Sequence, residues 1–219
     1  MSSLLDLPDE LILEVLSYTE TADILKCGQV SNRIRTISND NSLFLTVNLS
    51  DKYVETDLLA AVLNKGCKSL NLSDSSIRGN LSLIQNSKLR KLDITNCRAS
   101  PHDAIEELLA SCHSLQILSL KGLPLTPRMV ISICQNSQTL QVLNLYYSYI
   151  EEEWYQKIIE TCQEMRQLIL ERPKVQETKD QSNRELMRYT IFFLNTEYTF
   201  IAANRNLILD PELLRRSWS

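Results

Sequence analysis

Apolar residues recur along this chain at the first, fourth and sixth positions of a six-residue segment. The clearest copy is Leu115-Gln116-Ile117-Leu118-Ser119-Leu120. Further copies begin at residues 67, 89, 140 and 165, and a looser copy begins at residue 44, so successive copies start 22 to 26 residues apart. The fourth and sixth positions would share one face of a strand, so each copy predicts a short strand with a buried side. The apolar positions are Phe44, Val47, Leu49; Cys67, Leu70, Leu72; Leu89, Leu92, Ile94; Leu115, Leu118, Leu120; Leu140, Leu143, Leu145; and Met165, Leu168, Leu170.

This period lies in the range of leucine-rich repeats, in which a strand is followed by a helix. We therefore predict an α/β leucine-rich-repeat solenoid over residues 46–172, with parallel strands on the concave face and helices on the convex face. Two helix starts are predicted within it, at Ser100-Pro101-His102-Asp103 and at Thr126-Pro127, each with a hydroxyl cap before a proline. Because no unit can bury its own apolar face, stacked neighbours should share one core.

Residues 4–45 lack this repeat and predict three short helices. Asp6 is a candidate N-cap for the first helix, and Pro8 suits its first turn. Leu7, Ile12 and Leu16 supply more apolar surface than so small a unit needs. Surplus apolar surface indicates either a partner protein or contact with the first repeat, and the pattern alone leaves both open.

The order of residues in this region resembles the F-box, a three-helix module that binds the adaptor subunit of cullin ubiquitin ligases. The resemblance departs at Ile34 and Phe44, where the family usually has Trp, but both replacements are apolar and should preserve the helical core. It implies that the adaptor is contacted by Leu7, Pro8, Leu11, Ile12, Leu16 and Val30. The matching stretches are Leu7-Pro8, Glu10-Leu11-Ile12, Val15-Leu16-Ser17-Tyr18, Asp23-Ile24-Leu25, Val30-Ser31-Asn32-Arg33 and Leu43-Phe44.

An F-box followed directly by repeats is similar to the F-box/leucine-rich-repeat family. That resemblance implies a non-catalytic, substrate-recognition subunit of an SCF-type cullin–RING E3 ubiquitin ligase. Its partners would be the adaptor subunit, through it a cullin, and a protein substrate, phosphorylated or not, destined for ubiquitination and proteasomal degradation. It also implies a place in the nucleus and cytoplasm and a role in the cell cycle. The alternative is a leucine-rich-repeat scaffold or inhibitor that binds protein without a ligase.

Aromatic residues concentrate just after the copy of the segment that begins at residue 140. Tyr146, Tyr147, Tyr149, Trp154 and Tyr155 fall within ten residues. Aromatic and arginine side chains dominate the energetics of protein interfaces, although one of Trp154 and Tyr155 should belong to the core. From the outward strand positions and this cluster, we take as candidate substrate-binding residues Lys121, Asn144, Tyr146, Tyr147 and Arg172.

Composition narrows the remaining possibilities. The chain of 219 residues is 43% hydrophobic and 23% charged, with a net charge of −4 and no run of basic residues typical of nucleic-acid binding. Neither an 18-residue apolar run nor a signal peptide is visible, so we expect no membrane partner and an intracellular protein. The six cysteines show no zinc-ligand spacing and are predicted to be reduced core thiols.

No constellation of catalytic residues stands out. The two histidines, His102 and His113, flank one predicted helix, and no phosphate-binding loop or metalloprotease motif is present. We therefore expect neither a catalytic residue nor a metal site nor a cofactor.

The pattern frays after residue 172. Residues 173–219 are predicted to form an irregular cap or tail, with an exposed loop over 174–184, a final strand or hairpin between Tyr189 and Ile201, and a short helix or tail over 206–218. A truncated or alternative C-terminus is equally compatible with the pattern.

Overall fold

Three short helices open the chain in the structure, a computed structural model that describes residues 6–81, 87–100, 103–173, 186–194 and 197–202. They are α1 (Asp9–Ser17), α2 (Thr21–Cys27) and α3 (Asn32–Ser38), followed by a 3₁₀ turn at Asn41–Phe44. The Pro8 carbonyl accepts hydrogen bonds from the Leu11 and Ile12 N–H groups at 3.1 Å. Pro8 therefore occupies the N-cap position, and the prediction that Asp6 caps α1 is wrong because the first turn closes two residues later.

Apolar side chains from all three helices form the core of this region. Ile12, Ile24 and Ile34 are buried, and so is Phe44 in the 3₁₀ turn. The expectation that Ile34 and Phe44 preserve the helical core is confirmed. Phe44 also belongs to the same continuous apolar cluster as the strands that follow, so the helical region and the strands share one core.

Strands dominate the rest of the described chain. In chain order they are β1 (Thr46–Asn48), β2 (Tyr53–Glu55), β3 (Ser69–Asn71), β4 (Ser76–Arg78), β5 (Lys91–Asp93), β6 (Arg98–Ser100), β7 (Ile117–Ser119), β8 (Val142–Leu145), β9 (Gln167–Pro173), β10 (Leu186–Leu194) and β11 (Glu197–Ala202). The helices between them are α4 (Thr56–Asn64), α5 (Ala104–Ala110), α6 (Pro127–Gln135) and α7 (Glu152–Thr161).

Six of these strands, β1, β3, β5, β7, β8 and β9, pair in parallel in that order; we call this sheet segment the ladder. The fourth residue of every copy of the six-residue segment lies in register with the fourth residue of the next. All of these residues are buried, in the order Val47, Leu70, Leu92, Leu118, Leu143 and Leu168. The predicted mixed α/β architecture with parallel strands behind a helical N-terminal region is therefore confirmed.

Two helix starts were predicted between strands of the ladder, and the structure confirms one of them but not the other. Thr126 Oγ1 accepts a hydrogen bond from the Met129 N–H at 3.3 Å, and Pro127 begins α6 as predicted. Ser100 does not cap α5, which begins at Ala104. Ser100 ends β6 instead, where its carbonyl accepts a hydrogen bond from Gly79 at 3.0 Å. Pro101 and His102 lie outside the described residues.

A second, smaller parallel sheet consists of β2, β4 and β6 and was not predicted. Val54, Ile77 and Ala99 lie in register at its centre. Each is the eleventh residue counted from the start of its copy, and Leu125 and Ile150 occupy the same position in the next two copies. The apolar residue at the eleventh position of each copy was therefore the sequence signal from which this sheet could have been predicted.

The end of the described chain is an antiparallel extension of the ladder. β10 pairs with β9 and with β11, so the prediction of a final strand or hairpin between Tyr189 and Ile201 is confirmed. The predicted loop over 174–184 and the predicted helix or tail over 206–218 lie outside the described residues.

Candidate protein-interaction surfaces

The first candidate surface is the outer side of the helical region. Leu11 and Val15 of α1 are nearly half exposed, Tyr18 is 84% exposed, and Val30, between α2 and α3, is 74% exposed. Large apolar groups left in water cost free energy, and their concentration on one small unit is typical of a protein-binding surface. We name these residues, Leu11, Val15, Tyr18 and Val30, the helical surface.

The predicted adaptor-contacting residues divide by burial in the isolated chain. Leu11, Pro8 and Val30 are accessible, and Leu7 is partly buried. Ile12 and Leu16 are buried in the core, so they support the accessible residues from beneath. Whether each of the six touches an adaptor stays a prediction. Val15 and Tyr18 were not on that list, although the stretch Val15-Leu16-Ser17-Tyr18 was among those carrying the resemblance.

An arginine holds the start of α1 against α3. Arg33 Nε donates to Asp9 Oδ1 at 2.8 Å, and its Nη2 donates to the Leu7 carbonyl at 2.6 Å. A guanidinium that contacts a carboxylate and a carbonyl at once fixes their relative orientation. Arg33 therefore positions the residues beside Pro8 on the edge of the helical surface.

The second candidate surface lies where β7 and β8 end, and it brings four of the five predicted substrate-binding residues together. Lys121 Nζ stands 5.4 Å from the centre of the Tyr146 ring, and the Tyr146 and Tyr147 rings meet edge to face at 4.3 Å. Asn144 donates to Ser119 Oγ at 3.2 Å. We name Lys121, Asn144, Tyr146 and Tyr147 the tyrosine cluster. The side chain of Arg172, the fifth predicted residue, lies outside the described residues.

Exposure distinguishes the aromatic residues of this segment. Tyr147 and Tyr149 are 58% and 73% exposed, whereas Tyr155 is buried and Trp154 is partly buried beside Lys157. The expectation that one of Trp154 and Tyr155 belongs to the core is confirmed by Tyr155. Cation–aromatic and edge-to-face contacts preorganise exposed rings, which lowers the entropic cost of binding.

A recurring turn follows the strands of the ladder and sets the position of these side chains. The residue at the fifth position, such as Asn71 or Asn144, accepts a hydrogen bond from the N–H group two residues later, at 2.9 and 3.1 Å respectively. The eighth position then adopts positive φ in five successive copies. Its residues are Asp51, Asp74, Asn96, Gly122 and Tyr147.

Tyr147 differs in side-chain size from the other four residues at this eighth position. Asp, Asn and Gly tolerate the left-handed region, but a bulky residue there is uncommon and strained. Its φ is +56°. Strained residues cluster at functional sites, so the conformation of Tyr147 adds to the reasons for regarding the tyrosine cluster as a binding surface. The eighth-position pattern of Asp, Asn and Gly was readable in the sequence but was not recognised there.

Reactive groups are few among the residues that the structure describes. Burial raises the pKa of Cys67 and of Cys112 to about 11, so both stay protonated at neutral pH. Within the described ranges, no three His, Cys, Asp or Glu side chains converge as metal ligands. The helices in these ranges are also too short or too polar to cross a bilayer.

Comparison with known proteins identifies a matching family model for the N-terminal region and a similar protein over a longer part of the chain. A family model described as F-box-like matches residues 4–50. The chain is also similar to an F-box/FBD/LRR-repeat protein of Arabidopsis thaliana, with 23% identity over 181 residues, which covers 76% of this chain. The chain spans 42% of the length of that curated relative. These findings support an F-box-like module at the N-terminus, in a chain that has a relative named for leucine-rich repeats.

Proposed function

We propose that this chain is a substrate-recognition subunit of an SCF-type cullin–RING E3 ubiquitin ligase. The observation that carries the proposal is the F-box-like match over residues 4–50, which coincides with an exposed apolar helical surface on Leu11, Val15, Tyr18 and Val30. F-box domains generally bind the adaptor subunit of such ligases. The helical surface would contact that adaptor, and through it the chain would reach a cullin.

The ladder supplies the second half of the proposed mechanism. We interpret it as a leucine-rich-repeat solenoid, because strands in register recur every 22 to 26 residues and the fourth position of each copy is buried. The tyrosine cluster would hold a protein substrate, together with Arg172. Tethering the substrate near the ubiquitin-loaded enzyme raises its effective concentration, so the contribution of this chain would be proximity rather than chemistry.

Finer parts of the proposal rest on the sequence resemblance alone. By that resemblance, residues 7–172 would be similar to the S-phase-kinase-associated F-box protein, chiefly over 71–77 and 118–123. Proteasomal turnover of cell-cycle regulators, recognised with or without phosphorylation, would follow, with action in the nucleus and cytoplasm. The proposed division is an F-box over 4–45, repeats over 46–172 and a cap or tail over 173–219.

Copurification with the adaptor tests the ligase assignment. Leu11→Lys combined with Val30→Lys places two charges on exposed positions of the helical surface and should abolish recovery of the adaptor without unfolding the chain. The matched control is Tyr53→Lys combined with Ile131→Lys, which charges two exposed apolar positions outside the helical region. If the first variant still recovers the adaptor as the wild type does, or if the wild type recovers none, the ligase assignment fails.

The second candidate function is a repeat scaffold or inhibitor that is not coupled to a ligase. Ile34 favours it, because this position usually holds Trp in the family and Ile offers less contact area. The half-life of bound partners separates the two functions. Depleting a ligase subunit should lengthen that half-life, whereas depleting a scaffold should leave it unchanged.

A further inference from the structure

The starts of β3 and β5 concentrate positive charge on the exposed face of the ladder. Lys68 directly precedes β3, Lys88 and Arg90 precede β5, and Lys91 is the first residue of β5. All four side chains are exposed. We name Lys68, Lys88, Arg90 and Lys91 the basic patch.

Backbone pairing brings these residues together. The Arg90 and Lys91 N–H groups both donate to the Lys68 carbonyl, at 2.8 and 3.0 Å. Neighbouring strands of a sheet are about 4.8 Å apart, so the charged side chains of the two strands are adjacent. A Cβ atom built on Gly66 would lie 3.8 Å from Lys88 Cδ, which shows that the Lys88 stem crosses the turn before β3.

The basic patch makes no ion pair with the acidic residues that the structure describes. Two exposed cations elsewhere do have ion pairs: Lys26 with Asp23 at 3.0 Å and Lys52 with Glu20 at 2.6 Å. Asp93 lies two residues after Lys91 on the same strand, but its Oδ1 accepts a hydrogen bond from the Thr95 N–H at 2.9 Å. The four like charges therefore repel one another within a chain whose net charge is −4.

An acidic polypeptide fits this surface better than a nucleic acid does. Sites for single-stranded nucleic acid combine cations with aromatic rings on which bases stack. None of the exposed aromatic side chains in the described ranges lies on β3 or β5, and Phe44, beneath Lys65, is buried. Short acidic side chains can approach the exposed residues at the starts of these two adjacent strands.

We propose that the basic patch binds an acidic segment of a partner protein, with carboxylates facing the starts of β3 and β5. This inference rests on the proposed function in one respect: the partner is the protein that the ladder recruits. It identifies a contact region on the same sheet, with β5 two strands and β3 three strands from β8, and assigns its chemistry. The tyrosine cluster would then contact one part of the partner through its aromatic rings, and the basic patch would contact an acidic part of the same partner.

Fluorescence anisotropy with a labelled hexaglutamate peptide and the full chain tests the proposal. The triple variant Lys68→Glu, Arg90→Glu, Lys91→Glu should weaken binding about tenfold or more, and added salt should weaken wild-type binding. The matched control is Lys26→Glu, Arg128→Glu, Lys157→Glu, which changes the net charge equally at other exposed positions and should change the Kd by less than about twofold. Circular dichroism establishes that both variants are folded.

Three results would overturn the inference. They are no peptide binding by the wild type, equal weakening in the two triple variants, and tighter binding of polyuridine than of hexaglutamate at the same salt concentration. Adaptor copurification separates this outcome from failure of the ligase assignment. The basic-patch variant should recover the adaptor as the wild type does, whereas Leu11→Lys combined with Val30→Lys should not.

Discussion

The helical region and the ladder differ in how much of their apolar side chains they expose to solvent. The helical region exposes Leu11, Val15, Tyr18 and Val30, although it is the smaller unit. The ladder buries the apolar fourth position of every copy, and the exposed and half-exposed positions of its strands are mainly polar and charged, with aromatic groups just after β8. An apolar surface favours a lasting partner, whereas a polar and aromatic surface suits recognition that can be tuned residue by residue. The difference argues for one constant partner and one selected partner.

The strongest test of this comparison is a charge in the centre of the ladder. Leu118 is buried and lies in register between Leu92 and Leu143. Leu118→Asp should lower the free energy of unfolding by about 3 to 5 kcal/mol, because it loses apolar burial and leaves a carboxylate without a partner. Urea denaturation followed by circular dichroism measures the change. Gln116→Asp, at a half-exposed position of the same unit, is the control, and a similar loss there would contradict the burial pattern.

A second test contrasts two leucines of α1. Leu16 is buried and Leu11 is 45% exposed. Leu16→Ala should lower the free energy of unfolding by about 2 to 4 kcal/mol, whereas Leu11→Ala should cost less than about 1 kcal/mol. Thermal unfolding of the two variants supplies the measurement. Equal costs would show that Leu11 supports the fold rather than a partner contact.

A third, smaller effect is expected at the left-handed turn of β7. Gly122 has φ +75°, and a Cβ atom there would lie 2.0 Å from Asn96 Oδ1. Asn96 would have to turn away and give up its 3.1 Å hydrogen bond to Asp74. Gly122→Ala should therefore lower the free energy of unfolding by about 1 to 2 kcal/mol.

A double-mutant cycle separates the two causes of that loss. In an Asn96→Gly background the steric conflict is absent, so Gly122→Ala should cost only the left-handed penalty of about 1 kcal/mol. Chemical denaturation of the four proteins gives the coupling energy. A coupling of zero would mean that the Asn96 side chain does not restrict residue 122.

The smallest effect concerns the strained tyrosine. Tyr147→Val and Tyr147→Asn both remove the ring contact with Tyr146, but Asn tolerates positive φ and a β-branched residue does not. The Val variant should be less stable than the Asn variant by about 1 kcal/mol. Differential scanning calorimetry compares them directly. If the two variants melt together, the left-handed turn at residue 147 imposes no strain on its side chain.

The ladder was predictable because its signal repeats. Leu118 and its counterparts recur in register with the strand period, so each copy supports the others. The second sheet was missed because each of its strands offers one apolar position, such as Val54, whereas each copy of the six-residue segment offers three. One apolar residue does not produce an alternation that distinguishes a strand from a loop.

Prediction of the candidate surfaces was less complete, and the reason is tertiary packing. Leu11, Ile12 and Leu16 look alike along α1, and only the positions of α3 and the 3₁₀ turn decide which of them are covered. The tyrosine cluster was found from composition, but the strain at Tyr147 depends on a backbone angle. The basic patch comes from two units that begin 22 residues apart, so a search for runs of charge along the sequence does not detect it.

The apolar core is shared between the 3₁₀ turn and β1, so the helical region is held at one end of the sheet. Phe44 anchors one end, and four steps along the sheet, at about 4.8 Å each, separate β1 from β8. β1 and β8 are thus about 19 Å apart across the strands, a whole number of strand spacings. In the proposed function, removing one unit would move a bound substrate by one strand width and would change which of its lysines reach the ubiquitin-loaded enzyme.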